Sequence, residues 1–464
     1  MALNNKKNLL EGSLYKNMIA FAIPIILSGV LQLLFNAADL IVVGKFDTVN
    51  GSLAQAAIGS TGSTVNLIVG IFIGVSAGVN VVIARLVGAK DNEQIKYGVQ
   101  TAMFISIIAG VVIAVAGYVF AEPLLNVIKT DTEVMPFAIT YLRIYFIGAP
   151  FSMVYNFGSA ILRAYGDTKR PMIYLTIGGI ANVILNLIAV IGFNLSVAGV
   201  AIATSASGFI ACVLVVIRLL KTDDPIKLHL KGFKLHSRYA VQIISTGLPA
   251  GIQGSLFSLS NVVIQSAINS FNDPHFTAGN GNAASAENFV YIIMNGFYQA
   301  VLTFTGQCCG AKKFDLLDKI YRKSLVLVTI IGLVTSGIFM ALSNPIMHLY
   351  ASSPEDISAG IERIQFMMIW MVIAGLMDNT SGYLRGMGDS FRPMIIALIG
   401  VCGFRMVWLY TVFEKFHTPT ILYACYPITW TITFVALFIL SRSAKMKLIN
   451  QDKSKKLKTN ENNA

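Results

Sequence analysis

Charge is scarce in this sequence. Of its 464 residues only 12% are Asp, Glu, Lys or Arg, about half the ~25% share of a soluble globular chain. That excludes an ordinary cytosolic enzyme of two or three domains. With 55% of residues hydrophobic, it also excludes intrinsic disorder. Cysteine is scarce as well. Cys212, Cys308, Cys309, Cys402 and Cys425 lie in or beside apolar segments with no paired spacing, so neither a disulfide framework nor a metal site is expected. His229, His236, His275, His348 and His417 fall in loops or near the ends of apolar runs. There is no Walker motif, no Ser-His-Asp arrangement and no Cys-x-x-Cys. No catalytic residue and no cofactor is expected, and the chain reads as a non-enzyme. A cleaved signal peptide is not expected either. Lys6 and Lys7 precede an apolar stretch from Met18 to Val43 that is too long for a signal core and lacks a small-residue cleavage site.

Long apolar runs are what the chain has in abundance. Twelve cover roughly residues 17–43, 54–82, 97–120, 134–161, 171–192, 196–219, 239–270, 286–306, 324–343, 361–382, 393–413 and 419–441. Each is long enough to cross about 30 Å of hydrocarbon at about 1.5 Å per residue. They are continuous rather than alternating, which favours helices over a barrel. The expected fold is an all-α integral membrane protein of twelve transmembrane helices. The net charge of +12 then reads as topology and lipid affinity, not as nucleic-acid binding. With the N-terminus inside, 29 of the 35 Lys and Arg fall on the cytoplasmic side, against Lys45, Lys129 and Lys415 outside. Arg143, Arg363 and Arg405 remain within spans. The split predicts a plasma-membrane protein with both termini cytoplasmic.

The chain repeats itself at an offset of 222 residues. Gly158 to Met172 (GSAILRAYGDTKRPM) and Thr380 to Met394 (TSGYLRGMGDSFRPM) agree at eight of fifteen positions. The same offset joins Gly88-Ala89-Lys90 to Gly310-Ala311-Lys312, Gly74 to Gly296 and Asn66 to Asn288; near the start of each half it drifts to 225, pairing Pro24 with Pro249. A duplicated six-span unit follows, in two pseudo-symmetric bundles related as parallel repeats, with a substrate site between them. The expected boundaries are an N-terminal bundle over 1–220, a polar linker over 221–238, a C-terminal bundle over 239–441 and a solvated, disordered basic tail over 442–464.

Several residues carry chemistry. The Leu-Arg-x-x-Gly-Asp-x-x-Arg-Pro element, at Leu162–Pro171 and Leu384–Pro393, predicts a helix-turn-helix corner. Its Arg suits a helix C-terminus, its Gly a left-handed stop, and its Asp the cap of the next helix. Asp39 is the most informative single residue. A carboxylate at membrane depth costs roughly 2.5–3.5 kcal/mol, so it must face protein or water and is a functional candidate by default. Asn182 and Asn186, four apart in the fifth run, share a helical face. With Tyr141 and Thr204 they either line one polar pocket or make ordinary interhelical hydrogen bonds; Asn156 lies deeper. The second half lacks the acid matching Asp39. Its own acids, Asp378 opposite Asn156 and Glu287 opposite Val65, are candidates for a second protonation or substrate-charge site, and Glu287, which follows the polar stretch Asn272–Ala286, reads alternatively as simply solvated. Pro24, Pro150, Pro249 and Pro427 fall inside runs, and Pro24, sharing its run with Asp39, is the candidate hinge. Gly70, Gly74 and Gly78 read as close helix packing.

Taken together these features resemble the multidrug and toxic compound extrusion (MATE) family. They are the Ile-Pro and Asp of the first span, Ala-Arg-Leu-Val-Gly-Ala-Lys-Asp after the second, the two Leu-Arg-x-x-Gly-Asp corners, and Gly-Gln-Cys-Cys-Gly-Ala-Lys around the eighth. The likeness covers roughly residues 10–441 and is closest to prokaryotic members. It implies a V-shaped arrangement of two lobes and antiport of amphipathic, often cationic, drugs against H⁺ or Na⁺. It also implies an ion-coupling cluster at Asp39, Tyr141, Asn156, Asn182, Asn186 and Thr204. One departure is plain: where many members carry a second carboxylate, this chain has Asn186. The expected partners are small organic cations and the lipid bilayer, with no nucleic acid and no obligate protein partner. The rival readings are a flippase for lipid-linked precursors from the same superfamily and, further off, a membrane-embedded transferase.

Overall fold

The computed structural model describes residues 9–47, 51–128 and 130–461, with side chains left aside at 63, 64, 66, 67, 451, 453 and 455–461. Lys6, Lys7 and Lys129 lie outside the described residues, as does the side chain of Asn66. The described chain is helical, with no strand. In order come α1 (Leu14–Phe46), α2 (Gly51–Ala89), α3 (Asn92–Val127), α4 (Met135–Ile147), α5 (Ala149–Tyr165), α6 (Lys169–Leu187) with a π-helical turn Ile188–Gly192, and α7 (Ser196–Lys221). Then come α8 (Ser237–Asn269), α9 (Pro274–Gly310), α10 (Asp315–Ala341), α11 (Ser343–Tyr350) and α12 (Pro354–Gly386). The chain ends with α13 (Phe391–Ala397), a π-turn Leu398–Gly403, α14 (Phe404–Trp408), a π-turn Leu409–Phe413, α15 (Glu414–Phe416) and α16 (Pro419–Glu461).

Each of the twelve apolar runs falls on one such segment. Nine helical segments among the described residues are long and apolar enough to cross a membrane, and the bent pair α4–α5 makes a tenth. The remaining two, α8 and α9, are long, at 33 and 37 residues, but more polar. The chain is a multi-pass membrane protein. The bend in the fourth span is 48° and falls at Gly148. Pro150, expected inside an unbroken run, sits instead in the first turn of α5, where its missing N–H costs no helical bond.

The duplication reaches the backbone. At the first corner Gly166 has φ +103°, and Asp167 N donates to Leu162 O at 2.9 Å. At the second, Gly388 has φ +83°, and Asp389 N donates to Leu384 O at 3.1 Å. Both are left-handed stops closed by the same six-to-one bond. Asp167 accepts from Arg170 N at 3.2 Å and Asp389 from Arg392 N at 3.4 Å, the expected caps. Lys90 and Lys312, also 222 apart, share a left-handed φ of +57° and +54°.

Two compact units emerge, Ile23–Ser255 (the first unit) and Met1–Ala22 with Leu256–Ala464 (the second). The boundary therefore lies inside α1 and α8, one residue before Pro24 and six after Pro249, rather than in the 221–238 linker. The linker belongs wholly to the first unit for a physical reason. Leu228 N donates to Leu219 O at 2.8 Å, Gln100 Nε2 to His229 O at 2.9 Å, and Ile226 and Leu228 are buried. It is a packed strap, not a free tether. In the second unit the start of α1 is held by Phe21 edge-on to Phe304 at 5.7 Å and by Lys323 over the Tyr15 ring at 4.7 Å. The basic tail, expected to be disordered, continues α16 as helix to Glu461. Lys445 pairs with Asp318 at 2.5 Å and Asp452 with Lys312 at 3.7 Å, tying it to α10 and to the α9–α10 corner.

Close approach explains two of the three α2 glycines, Gly74 and Gly78, whereas a Cβ on Gly70 would meet only Ser255 Oγ at an ordinary 3.8 Å. A Cβ on Gly74 would stand 2.1 Å from Gly251 N, and one on Gly78 would stand 2.3 Å from Ile243 O. Backbone meets backbone there, within the first unit, as small-residue packing allows.

Candidate functional site

The first unit gathers four of the six residues expected to act together. Asp39 stands on α1, Asn182 and Asn186 on one face of α6, and Thr204 on α7. Asn186 Nδ2 donates to Asp39 Oδ1 at 2.5 Å and to Asn182 Oδ1 at 3.3 Å. Asn182 Nδ2 in turn donates to Thr204 Oγ1 at 3.4 Å. The Thr204 hydroxyl has two acceptors in reach, Val200 O at 2.9 Å and Asp39 Oδ2 at 3.4 Å. It owns one proton, and the nearer acceptor holds it. Asp39 Oδ1 is therefore firmly bonded and Oδ2 only weakly. Asp39 is 7% exposed and Asn186 fully buried. Asn186 Oδ1 is buried with no hydrogen-bond partner, an acceptor beside a carboxylate with no donor of its own. Among the described residues no Lys, Arg or His lies within ion-pair distance of Asp39.

Tyr141 and Tyr145 complete the surroundings. Both lie within electrostatic range of Asp39, and their rings stack at 5.9 Å. Tyr145 is the residue that sequence reading missed; it lies four after Tyr141, and that helical spacing is the signal for it. Asn156 is not brought to this cluster. Its Nδ2 donates to Ser152 O at 2.8 Å, within its own helix, so it satisfies itself locally. The π-turn Ile188–Gly192 begins two residues after Asn186. Such turns recur at functional sites because one backbone register there is loosely held.

The second unit treats its two acids differently. Glu287, left open between solvent and site, is buried and takes Arg363 through two bonds, Nε at 2.8 Å and Nη2 at 3.0 Å. Asn280 Oδ1 accepts from Arg363 Nη1 at 3.3 Å and from Tyr423 at 2.8 Å. Glu287 is thus spent on neutralising an arginine and is not available as a substrate acid. Asp378 is partly exposed and lies within electrostatic range of Arg385 and Tyr291. No group of three or more His, Cys, Asp or Glu that could hold a metal ion occurs among the described residues.

An all-helical, duplicated membrane fold with a buried carboxylate that has no basic partner among the described residues has the make-up of a membrane carrier. The MatE family model matches the chain twice, over residues 24–188 and 249–411, well over half its length. The chain belongs to this family, the multidrug and toxic compound extrusion transporters. It is 27% identical over 399 residues to the probable multidrug resistance protein YoeA of Bacillus subtilis (strain 168), covering 84% of this chain and 85% of that one. It is 22% identical over 388 residues to the multidrug export protein MepA of Staphylococcus haemolyticus, covering 84% and 85%. The fold matches a solved structure described as the outward-facing conformation of a multidrug resistance MATE family transporter of the MOP superfamily. That match has a TM-score of 0.87 at 22% identity over 97% of this chain and 99% of the other.

Proposed function

We propose that this chain is a secondary antiporter of the plasma membrane that exports amphipathic, cationic drugs or toxic metabolites in exchange for H⁺ or Na⁺ by alternating access. The observation that carries this reading is Asp39: a buried carboxylate with one oxygen firmly held, the other weakly held, and no basic partner. The ion enters at Oδ2. A proton needs only that oxygen. A sodium ion uses it with the hard oxygens of Thr204 and the unpartnered Asn186 Oδ1. Ion arrival discharges Asp39 and weakens its hold on a cationic drug; ion release restores it. The change is passed along α1, whose division between units falls at Ala22–Ile23, next to Pro24, the hinge of this scheme. Asp378, partly exposed in the second unit, is the second acid of this scheme, a protonation or substrate-charge site. The lysine and arginine distribution supports cytoplasmic termini.

The test uses the full chain in proteoliposomes loaded with ethidium, a fluorescent monovalent cation, with pH and Na⁺ gradients imposed separately. One of the two gradients drives ethidium against its own gradient. If neither does, while the protein remains folded and correctly inserted, the antiport reading fails.

A further inference from the structure

The second unit holds a buried cation that the coupling scheme does not use. The 222-residue offset maps Tyr141 onto Arg363 and Thr204 onto Tyr426, and the 225-residue offset of the first span maps Asn36, one turn before Asp39, onto Asn261. In the structure Asn261 and Tyr426 meet a further residue, Arg405, and Arg363 shares the Tyr426 ring. Arg405 Nη1 donates to Asn261 Oδ1 and to Ser260 Oγ, each at 3.1 Å. Its guanidinium carbon stands 4.5 Å from the centroid of the Tyr426 ring, and that of Arg363 stands 6.0 Å from the same ring. Where the first unit has a carboxylate, an amide pair and a hydroxyl, the second has two guanidiniums beside one aromatic ring.

The two arginines differ in what discharges them. Arg363 is neutralised by Glu287. Arg405 has no carboxylate within ion-pair distance among the described residues. It is only 2% exposed, and its Nε is buried with no hydrogen-bond partner. Two neutral acceptors and a ring orient a guanidinium without cancelling its charge, and a buried unpaired charge is the costliest group a membrane protein carries. Nη1 spends its hydrogens on Asn261 and Ser260. The Nε edge is the one that meets a carboxylate side-on, through two parallel bonds. Arg405 lies in α14, a five-residue turn between two π-helical turns, Leu398–Gly403 and Leu409–Phe413. Only the later one has a counterpart in the first half, Ile188–Gly192. π-Helical turns of that kind are frequent at functional sites. Asn261, one of the two acceptors, is exposed, so the shell around Arg405 reaches the surface of its unit.

We infer that Arg405, with Ser260, Asn261 and Tyr426, forms an oxyanion-recognition site that takes the carboxylate of an amphipathic acid or zwitterion. The carboxylate lies along the Nε edge of Arg405. Asn261 and Ser260 fix the guanidinium from the opposite side, and Tyr426 holds its plane. This goes beyond the antiport reading, which concerns cations and the first unit. It is measured as binding without any gradient, so failure of one does not touch the other.

The test is fluorescence titration of the full-length protein in phosphatidylcholine nanodiscs, in alkaline buffer, with 11-(dansylamino)undecanoic acid and its methyl ester; the signal from empty nanodiscs is subtracted. The free acid binds about tenfold or more tightly than the ester, the worth of one charge-assisted, bidentate contact. Arg405→Gln brings the acid down to the level of the ester, and Arg405→Lys keeps part of the preference. Asn261→Asp places a carboxylate against Nη1 and abolishes the preference in the same way. That variant satisfies the buried charge rather than stranding a neighbour, so it decides the matter if Arg405→Gln does not fold. Equal binding of acid and ester by the wild type overturns the inference. So does a preference that survives Asn261→Asp.

Discussion

Asp39→Asn separates charge from shape at the proposed coupling site. The replacement is isosteric. Its amide oxygen still accepts from Asn186 Nδ2, which holds Asp39 Oδ1 at 2.5 Å. Its new NH₂ faces Thr204 Oγ1, 3.4 Å from the present Oδ2, and can donate there because the Thr204 proton is engaged with Val200 O at 2.9 Å. No buried partner is stranded, so the cost of a broken network, about 1–3 kcal/mol per unsatisfied group, is avoided. The fold is expected to survive, with a melting temperature within a few degrees of the wild type. What disappears is a site that gains and loses charge. For one H⁺ against one monovalent cation no net charge crosses, and only the pH difference does work, about 1.4 kcal/mol or tenfold accumulation per pH unit. Wild-type proteoliposomes with a one-unit gradient are therefore expected to build about a tenfold ethidium ratio. A cycle of two Na⁺ per cation draws a further ~2.3 kcal/mol per 100 mV. The Asp39→Asn protein is expected to equilibrate ethidium and stop at a ratio near one. Gradient-driven accumulation by a folded Asp39→Asn protein would remove Asp39 from the mechanism.

Other outcomes follow from the same geometry. Glu287→Gln leaves Arg363 buried without its bidentate partner and should destabilise by about 3–5 kcal/mol; thermal unfolding in detergent reads it, and joint replacement of Glu287 and Arg363 by Gln should recover part of the loss. Gly74→Ala drives a methyl into the backbone of Gly251 and should cost about 1–3 kcal/mol by the same measurement, because neither backbone can yield locally. At the start of α9, His275 Nδ1 meets Asp356 Oδ1 at 2.7 Å. That bond, reinforced by Glu355 and Asp273 nearby, raises the histidine above its ordinary value of 6.5. A raised folded value means that the stabilisation is complete below about 6.5 and fades as pH rises through the folded value. The melting difference between wild type and His275→Gln should therefore be largest in mild acid and vanish in alkali, where an unchanged difference would contradict the assignment.

The fold was legible because its signals are long and redundant. Twelve apolar runs fall on twelve helical segments, and the repeated corner supplies its own stop and cap at Gly166 and Asp167 and again at Gly388 and Asp389. Local chemistry decides such features, so sequence shows them. The Asp39, Asn182, Asn186 and Thr204 set was legible for a similar reason: polar groups in apolar helices must find each other. Asn156 misled because the same need can be met inside one helix, by Ser152 O. Glu287 was ambiguous because its partner, Arg363, lies 76 residues away and no local pattern joins them. The helical tail and the strap over 221–238 escaped notice because both depend on tertiary contacts: Lys445 with Asp318, and Ile226 and Leu228 buried against the first unit.

Arg405 shows how far the duplication itself could have been pressed. An isolated arginine in the eleventh run reads only as an anomaly. Carried through the duplication, it becomes one member of a set, because 141 and 204 lead to 363 and 426, and Arg405 shares the Tyr426 ring with Arg363 while it holds Asn261. Duplicated bundles inherit one backbone but need not inherit one charge. A carboxylate in the first copy favours a cation at that depth, and a guanidinium in the equivalent place of the second disfavours one. If both copies bound the coupling ion, Arg405 would be a tethered competitor for the second site, and the exchange would be limited to one ion from this pair. Arg405→Met together with Asn261→Asp removes the competitor and places an acid beside its position. If the second site is blocked only by Arg405, Na⁺- or H⁺-driven ethidium accumulation by that double variant should become steeper in the driving gradient than in the wild type. An unchanged dependence would mean that the two copies differ in more than the charge at these positions.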